Sequence, residues 1–205
     1  MNPLVDDFPC ELCGVPIDTD YRRMVQFELL MLDEGVPAQD KLLLGLKLLY
    51  KQPVTSLPKA WDRLLWFYRG GEENKDSAGA AGQGARVYDF EQDADRIYTA
   101  FLQIYGIDLQ EEPVHWWKFR ALLFALPDTC LMGKIMYYRS VDVGQLKGAE
   151  RRHAIHMRSL FALDKPAANM TQAERDAAFL AKIDRRQKQL EAQWERTKGG
   201  GVSGS

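Results

Sequence analysis

Several residue groups in this chain have types and spacings that suggest chemistry. Cys10 and Cys13 form a single C-x-x-C. A structural zinc site takes four ligands, usually from two such pairs, and Cys130 is the only further thiol. The three histidines are His115, His153 and His156, and no spacing joins them to the cysteines. A redox C-x-x-C opens a helix within a βαβ pattern, whereas this pair sits in a predicted hairpin, beside the turn at Gly14. The expectation is two small residues at a turn, with no metal and no cofactor. His153 and His156 stand i, i+3 among Arg151, Arg152 and Arg158. Metal binding needs neutral imidazoles, so this face suits a solvated basic surface, an acidic partner or a phosphate. Glu91, Asp93 and Asp95 fall at a predicted helix start, where carboxylates offset the macrodipole without any catalytic role. No Ser, His and Asp set lies in a nucleophile context. The glycines between Gly70 and Gly84 lack the Lys-Ser or Lys-Thr of a phosphate loop, and no strand leads into them. The expectation is a protein that is not an enzyme.

The most unusual segment is His115-Trp116-Trp117-Lys118-Phe119-Arg120. Trp116 and Phe119 share one helix face, and Trp117 and Arg120 share an adjacent one. One side can fill a core. The other must be covered by another helix or by a partner, and aromatics with Arg are the composition of binding hot spots.

The elements around these residues read as helices. The chain has 205 residues, 46% of them hydrophobic, and a net charge of −2. It is long enough to bury a sizeable core, and the charge balance is not that of a dedicated nucleic-acid binder. No basic and apolar leader is visible in Met1–Asp7, and no apolar run is long enough to span a bilayer. Three cysteines suit a reducing compartment. Charge is uneven along the chain. Residues 1–112 carry 20 acids against 11 bases, and residues 113–205 carry 9 acids against 16 bases. That asymmetry fits either chance and solvated faces, or head-to-tail self-association.

Phe8 to Asp18 reads as a β-hairpin or extended arm. Helices are predicted over 18–34, 38–50, 58–69, 90–105, 113–126, 129–139 and 145–163 from their apolar periodicity and stops. Asp18, Thr19 or Asp20 caps the first, and Leu42, Leu43, Leu46, Leu49 and Tyr50 form the stripe of the second. Asp89 caps the fourth and Pro113 opens the fifth. A capping box at Thr171–Glu174 opens a charged amphipathic helix to about Lys198. The fold class is all-α, with seven or eight helices and a short N-terminal hairpin or arm. The predicted organisation is an N-terminal hairpin and helices over 1–69, a flexible Gly-rich linker over 70–86, a central helical region over 87–165, the C-terminal helix over 166–198 and a disordered tail over 199–205.

One resemblance bears on function. Tyr88 to Tyr98, Phe101, Tyr105 to Leu109, His115 to Leu123, Leu126-Pro127 and Ile135 to Arg139 together resemble the phage "gene product fifteen" family of tailed phages of Gram-positive hosts. The hairpin and the helix opening at Asp18-Thr19-Asp20-Tyr21-Arg22 fit as well, and the resemblance covers roughly 8–165. Its central motif is specific, with many aromatic and charged residues recurring in order, though cysteines at 10 and 13 are not required by that pattern. The resemblance implies a non-enzymatic tail assembly chaperone. Such a protein binds the tape measure protein, keeps it soluble, helps recruit the major tail (tube) protein, and is then displaced. It implies work in the host cytoplasm, absence from the mature virion, self-association, and no membrane or nucleic-acid partner. A tail-completion or adaptor protein kept in the virion is the alternative. His115, Trp116, Trp117, Phe119, Arg120, Tyr138 and Arg139 are candidate core or interface residues. Phe179, Leu180, Ile183, Leu190 and Trp194 are candidates for a docking face on the C-terminal helix.

Overall fold

The computed structural model describes residues 4–72 and 86–163. The predicted helix over 166–198, with Phe179, Leu180, Ile183, Leu190 and Trp194, and the tail over 199–205 lie outside the described residues, as does most of the predicted linker. The fold is mostly α, with one small hairpin.

The hairpin pairs β1 (Glu11–Leu12) with β2 (Val15–Pro16), antiparallel, in the register Glu11↔Pro16 and Leu12↔Val15. Cys13 and Gly14 turn it with φ of 55° and 73°. Positive φ at both central residues is the type I′ geometry that matches strand twist. The outer side of β2 is covered by the chain after α2: the Lys51 N–H donates to Pro16 O at 3.1 Å, and Ile17 bridges Tyr50.

Seven helices follow among the described residues: α1 (Tyr21–Leu32), α2 (Ala38–Leu49), α3 (Leu57–Tyr68), α4 (Ala94–Tyr105), α5 (Trp116–Phe124), α6 (Leu131–Ser140) and α7 (Gly148–Leu160). Of the three capping candidates Asp20 is used, its carboxylate accepting the Arg22 N–H at 2.9 Å. Met24 and Phe27 turn inward from α1. On α2, Leu46 and Leu49 are buried, but Leu43 of the predicted stripe faces out. The α1–α2 approach is close. A Cβ at Gly45 would meet the Phe27 ring at 3.0 Å and the Trp61 ring at 3.1 Å. Helix α1 packs on α2 and α5, α2 on α3, α4 on α5 and α6, and α6 on α7. The buried apolar residues from Leu12 to Met132 form one cluster.

The starts of α4, α5 and α7 fall later than the sequence reading because other hydrogen bonds compete with helix there. α4 begins at Ala94, not Phe90. The Asp89 carboxylate accepts the N–H groups of Glu91 and Gln92 at 2.7 and 2.9 Å and holds 90–93 as a turn. α5 begins at Trp116, not Pro113. Val114 and His115 are kept extended against the start of α1, where Tyr21 N–H donates to Val114 O at 2.9 Å and Trp116 N–H donates to Thr19 O at 2.8 Å. α7 begins at Gly148, not Gln145, because Asp142 holds a turn by accepting the Gly144 N–H at 2.9 Å. The described ends of the predicted linker are not idle. Gly70 and Gly71 continue the last turn of α3 through bonds to Phe67 O and Trp66 O, both 3.0 Å.

Candidate functional site

The aromatic segment is assembled from α5, the end of α3, the start of α1 and the N-terminal arm. His115 caps α5, its Nδ1 accepting the Trp117 N–H at 3.0 Å. Its Nε2 faces Pro9 O at 3.3 Å, and its ring stacks on Phe8 at 4.7 Å. With Nδ1 accepting, Nε2 carries the proton of the neutral ring. Burial holds the imidazole below its usual range, only partly offset by the Pro9 carbonyl. The ring is therefore a neutral structural cap with both nitrogens engaged.

Trp116 and Trp117 occupy two faces of α5, and both are buried. Their indole N–H groups donate to Tyr68 O and Phe67 O, each at 2.8 Å. These carbonyls lie at the C-terminal end of α3, where the regular i→i−4 donors run out; Phe67 O takes the Gly70 N–H as well as the Trp117 indole. Trp117 also packs edge-on to Trp66 at 5.3 Å and to Phe8 at 6.0 Å. Phe119 stacks between Tyr21 at 4.5 Å and Phe101 at 4.9 Å. Arg120 is half-buried; it pairs with Glu72 at 3.4 Å and lies over Phe124. Glycine is required where the chain leaves α3. A Cβ at Gly71 would lie 2.6 Å from the Trp117 ring, and one at Gly70 would lie 2.8 Å from Arg120, with φ of +82° and +78°. His115, Trp116, Trp117 and Phe119 are thus brought together inside the chain, with Arg120 at the edge of the group.

Tyr138 and Arg139 lie elsewhere, on α6. Tyr138 is half-buried, and its hydroxyl meets His153 Nε2 at 3.1 Å. Arg139 is 6% exposed and pairs with Asp93, which is fully buried. Its Nη1 reaches Asp93 Oδ2 at 2.5 Å and its Nη2 reaches Oδ1 at 3.2 Å. The same guanidinium donates to Phe161 O at 2.7 Å and Val87 O at 3.1 Å. Asp93 also accepts from Arg96 at 2.7 Å and from the Asp89 N–H at 3.0 Å. Burial alone pushes the Asp93 carboxyl up, but the hydrogen bonds and charge of Arg139, with Arg96 and the Asp89 amide, outweigh it and hold the group below the usual range. Asp93 is therefore not the solvated helix-start carboxylate of the sequence reading. It is the anchor that joins α4, α6, the chain at Val87 and the end of α7.

A second buried carboxylate escaped sequence reasoning. Glu28 on α1 accepts from the Tyr68 hydroxyl at 2.5 Å and the Tyr88 hydroxyl at 3.3 Å, with Arg86 at 3.6 Å. Burial raises its pKa despite these partners, and burial with the Glu28 charge raises both tyrosines. The signal was available, because Glu28 stands one turn after Met24 and beside Phe27, in the apolar face of α1. Asp93 left no such mark, since an acid near a helix start reads the same whether exposed or buried.

Asp93, Arg139 and Glu28 are each held by partners inside the chain. Cys10 and Cys13 are exposed, and Cys130 is buried, capping α6 by accepting the Gly133 N–H. Among the described residues no group of three or more His, Cys, Asp or Glu could hold a metal ion. No described helix is long and apolar enough to cross a membrane. The class these features define is an α-helical protein whose aromatic and buried charged residues bind its own elements together. The chain belongs to the bacteriophage Gp15 protein family, whose model matches residues 4–163. No curated protein and no solved structure matches it.

Proposed function

We propose that this chain is a phage tail assembly chaperone that binds the tape measure protein, keeps it soluble, and helps recruit major tail (tube) subunits in the host cytoplasm without remaining in the virion. The family match over 4–163 carries this reading. On this reading the protein is not an enzyme, and its work is done by surface. The segment His115 to Arg120 packs within the fold, so contact with a partner falls to outward faces. Helix α7 offers one, with exposed Arg151, Arg152, Ile155 and Leu160. Residues 113–163 carry eight bases and three acids, whereas 86–112 carry seven acids and two bases. Opposed charge of this kind orients successive copies along a filament, and many weak contacts on one tape measure add through avidity.

The test is co-expression with the tape measure protein of the same phage, followed by affinity capture and light-scattering mass. The expected result is a soluble complex with many copies per tape measure, under conditions where the tape measure alone precipitates. A compact monomer that captures nothing, and that mass spectrometry finds in purified particles, would replace this reading with a virion adaptor.

A further inference from the structure

One edge of the hairpin is open. The register makes Leu12 and Val15 the closing pair, and the Ile17 N–H donates to Cys10 O at 3.0 Å. Glu11 opposite Pro16 is therefore the non-hydrogen-bonded pair, and its backbone N–H and C=O point away from β2. Pro16 has no N–H, and its carbonyl is taken by Lys51 on the far side. Along β1 the next outward position is Pro9, which also lacks an N–H and whose carbonyl faces His115. Among the described residues of β1, Glu11 thus presents a backbone donor and acceptor without a partner, and its exposed carboxylate has no ion-pair partner there.

This edge opens onto a cleft. A cavity of about 1050 Å³ lies between β1 and α3, with Glu11 and Leu12 on one wall and Lys59, Arg63, Leu65 and Trp66 on the other. Leu12 is buried while Glu11 is exposed, so the strand turns its apolar side toward the α3 wall. Trp66 is half-buried there, with the Arg63 guanidinium 5.8 Å from its ring.

From this geometry we infer that the β1–α3 cleft is a binding site for an extended peptide segment that adds a strand at Glu11. A strand edge matches another extended backbone, because only that presents a carbonyl and an N–H at the right spacing. Side chains alternate along a strand. The peptide residue opposite Glu11 shares its face and is favoured as Lys or Arg, while its two neighbours point toward Leu65 and Trp66 and are favoured as apolar and β-branched. The recognised pattern is apolar–basic–apolar. A second copy pairing edge to edge would set Glu11 against Glu11, and like charges directly opposite are destabilising.

The full chain tests this with a blocked peptide, acetyl-Ser-Val-Lys-Val-Ser-amide, followed by the NMR signals of the Glu11 amide and the Trp66 indole. For so small a contact the expected Kd is about 1 mM, at the weak end of the affinity scale. Both signals should move saturably and together. Glu11→Pro removes the outward N–H without touching the ladder and should weaken binding about tenfold, the factor that about 1.4 kcal/mol supplies. Replacing the peptide Lys by Glu should weaken binding to the parent chain and restore it to Glu11→Lys, which holds the test open if the proline variant does not fold. Absence of saturable shifts, shifts mapping away from the cleft, or indifference to the charge swap would overturn the assignment. So would protection of the Glu11 amide that grows with protein concentration without peptide, since that gives the edge to a second copy.

Discussion

Replacing Asp93 by Asn keeps the shape of the side chain and removes its charge. The Arg139 guanidinium, 6% exposed, then stays buried with only the carbonyls of Val87 and Phe161 as full acceptors. Removing one partner of a buried ion pair costs about 3–5 kcal/mol, because the other charge is left uncompensated. Arg96 changes this little, since its side chain is 40% exposed and its pairing is screened by water. Domains of this size are stable by about 5–15 kcal/mol, so the variant should lose a large share of its stability. The assay is urea unfolding followed by circular dichroism, for Asp93→Asn, Arg139→Met and the double variant. The double variant should be more stable than the two single losses predict by about 0.5–3 kcal/mol, the range for residues in one network. The pair also sets a pH dependence. The folded Asp93 pKa lies below the ordinary value of 3.8, so the folded state releases this proton more readily than the unfolded chain. Its stabilising contribution is complete above about that ordinary value and is lost as pH falls through the folded one. A loss below about 1 kcal/mol for Asp93→Asn, or strictly additive single variants, would refute the claim that this pair is buried and coupled.

Four shorter predictions follow from the same geometry. Trp117→Ala should cost about 3–5 kcal/mol and lower the melting temperature sharply; a wild-type melt with weakened self-association would make Trp117 an interface residue instead. Gly71→Ala should destabilise by about 1–3 kcal/mol through overpacking and a positive φ, read by thermal melting. For Glu28 the sign is opposite to Asp93: its folded pKa lies above 4.5, so its ionisation costs stability as pH rises past that value, and Glu28→Gln should gain on the parent chain between acid and neutral pH in urea titrations. His115, held below 6.5, should make stability fall as pH drops through and below that value, and His115→Asn, which retains a capping oxygen, should flatten that part of the profile.

Much of the architecture was legible because helices announce themselves through local pattern. Asp20 before Tyr21, the Met24–Phe27 face and the Gly106 stop after α4 each follow from short-range rules. The hairpin around Gly14 was legible for the same reason. Boundaries moved where other contacts intervened: Asp89 competes locally for the amides of Glu91 and Gln92, and His115 is held extended by a bridge to Asp20, far away in sequence.

The chain's own residue order thus determined an all-α fold with an N-terminal hairpin, and membership of a phage family through aromatic and charged residues spread over four of its helices. Tertiary structure alone decided that Trp116 and Trp117 spend both faces of α5 inside the molecule, since covering the second face needs the arm at Phe8 and the α3 carbonyls to arrive from distant positions. It alone turned Asp93 from a surface carboxylate into a buried anchor, because desolvation and an Arg139 partner 46 positions away are properties of packing and not of local sequence.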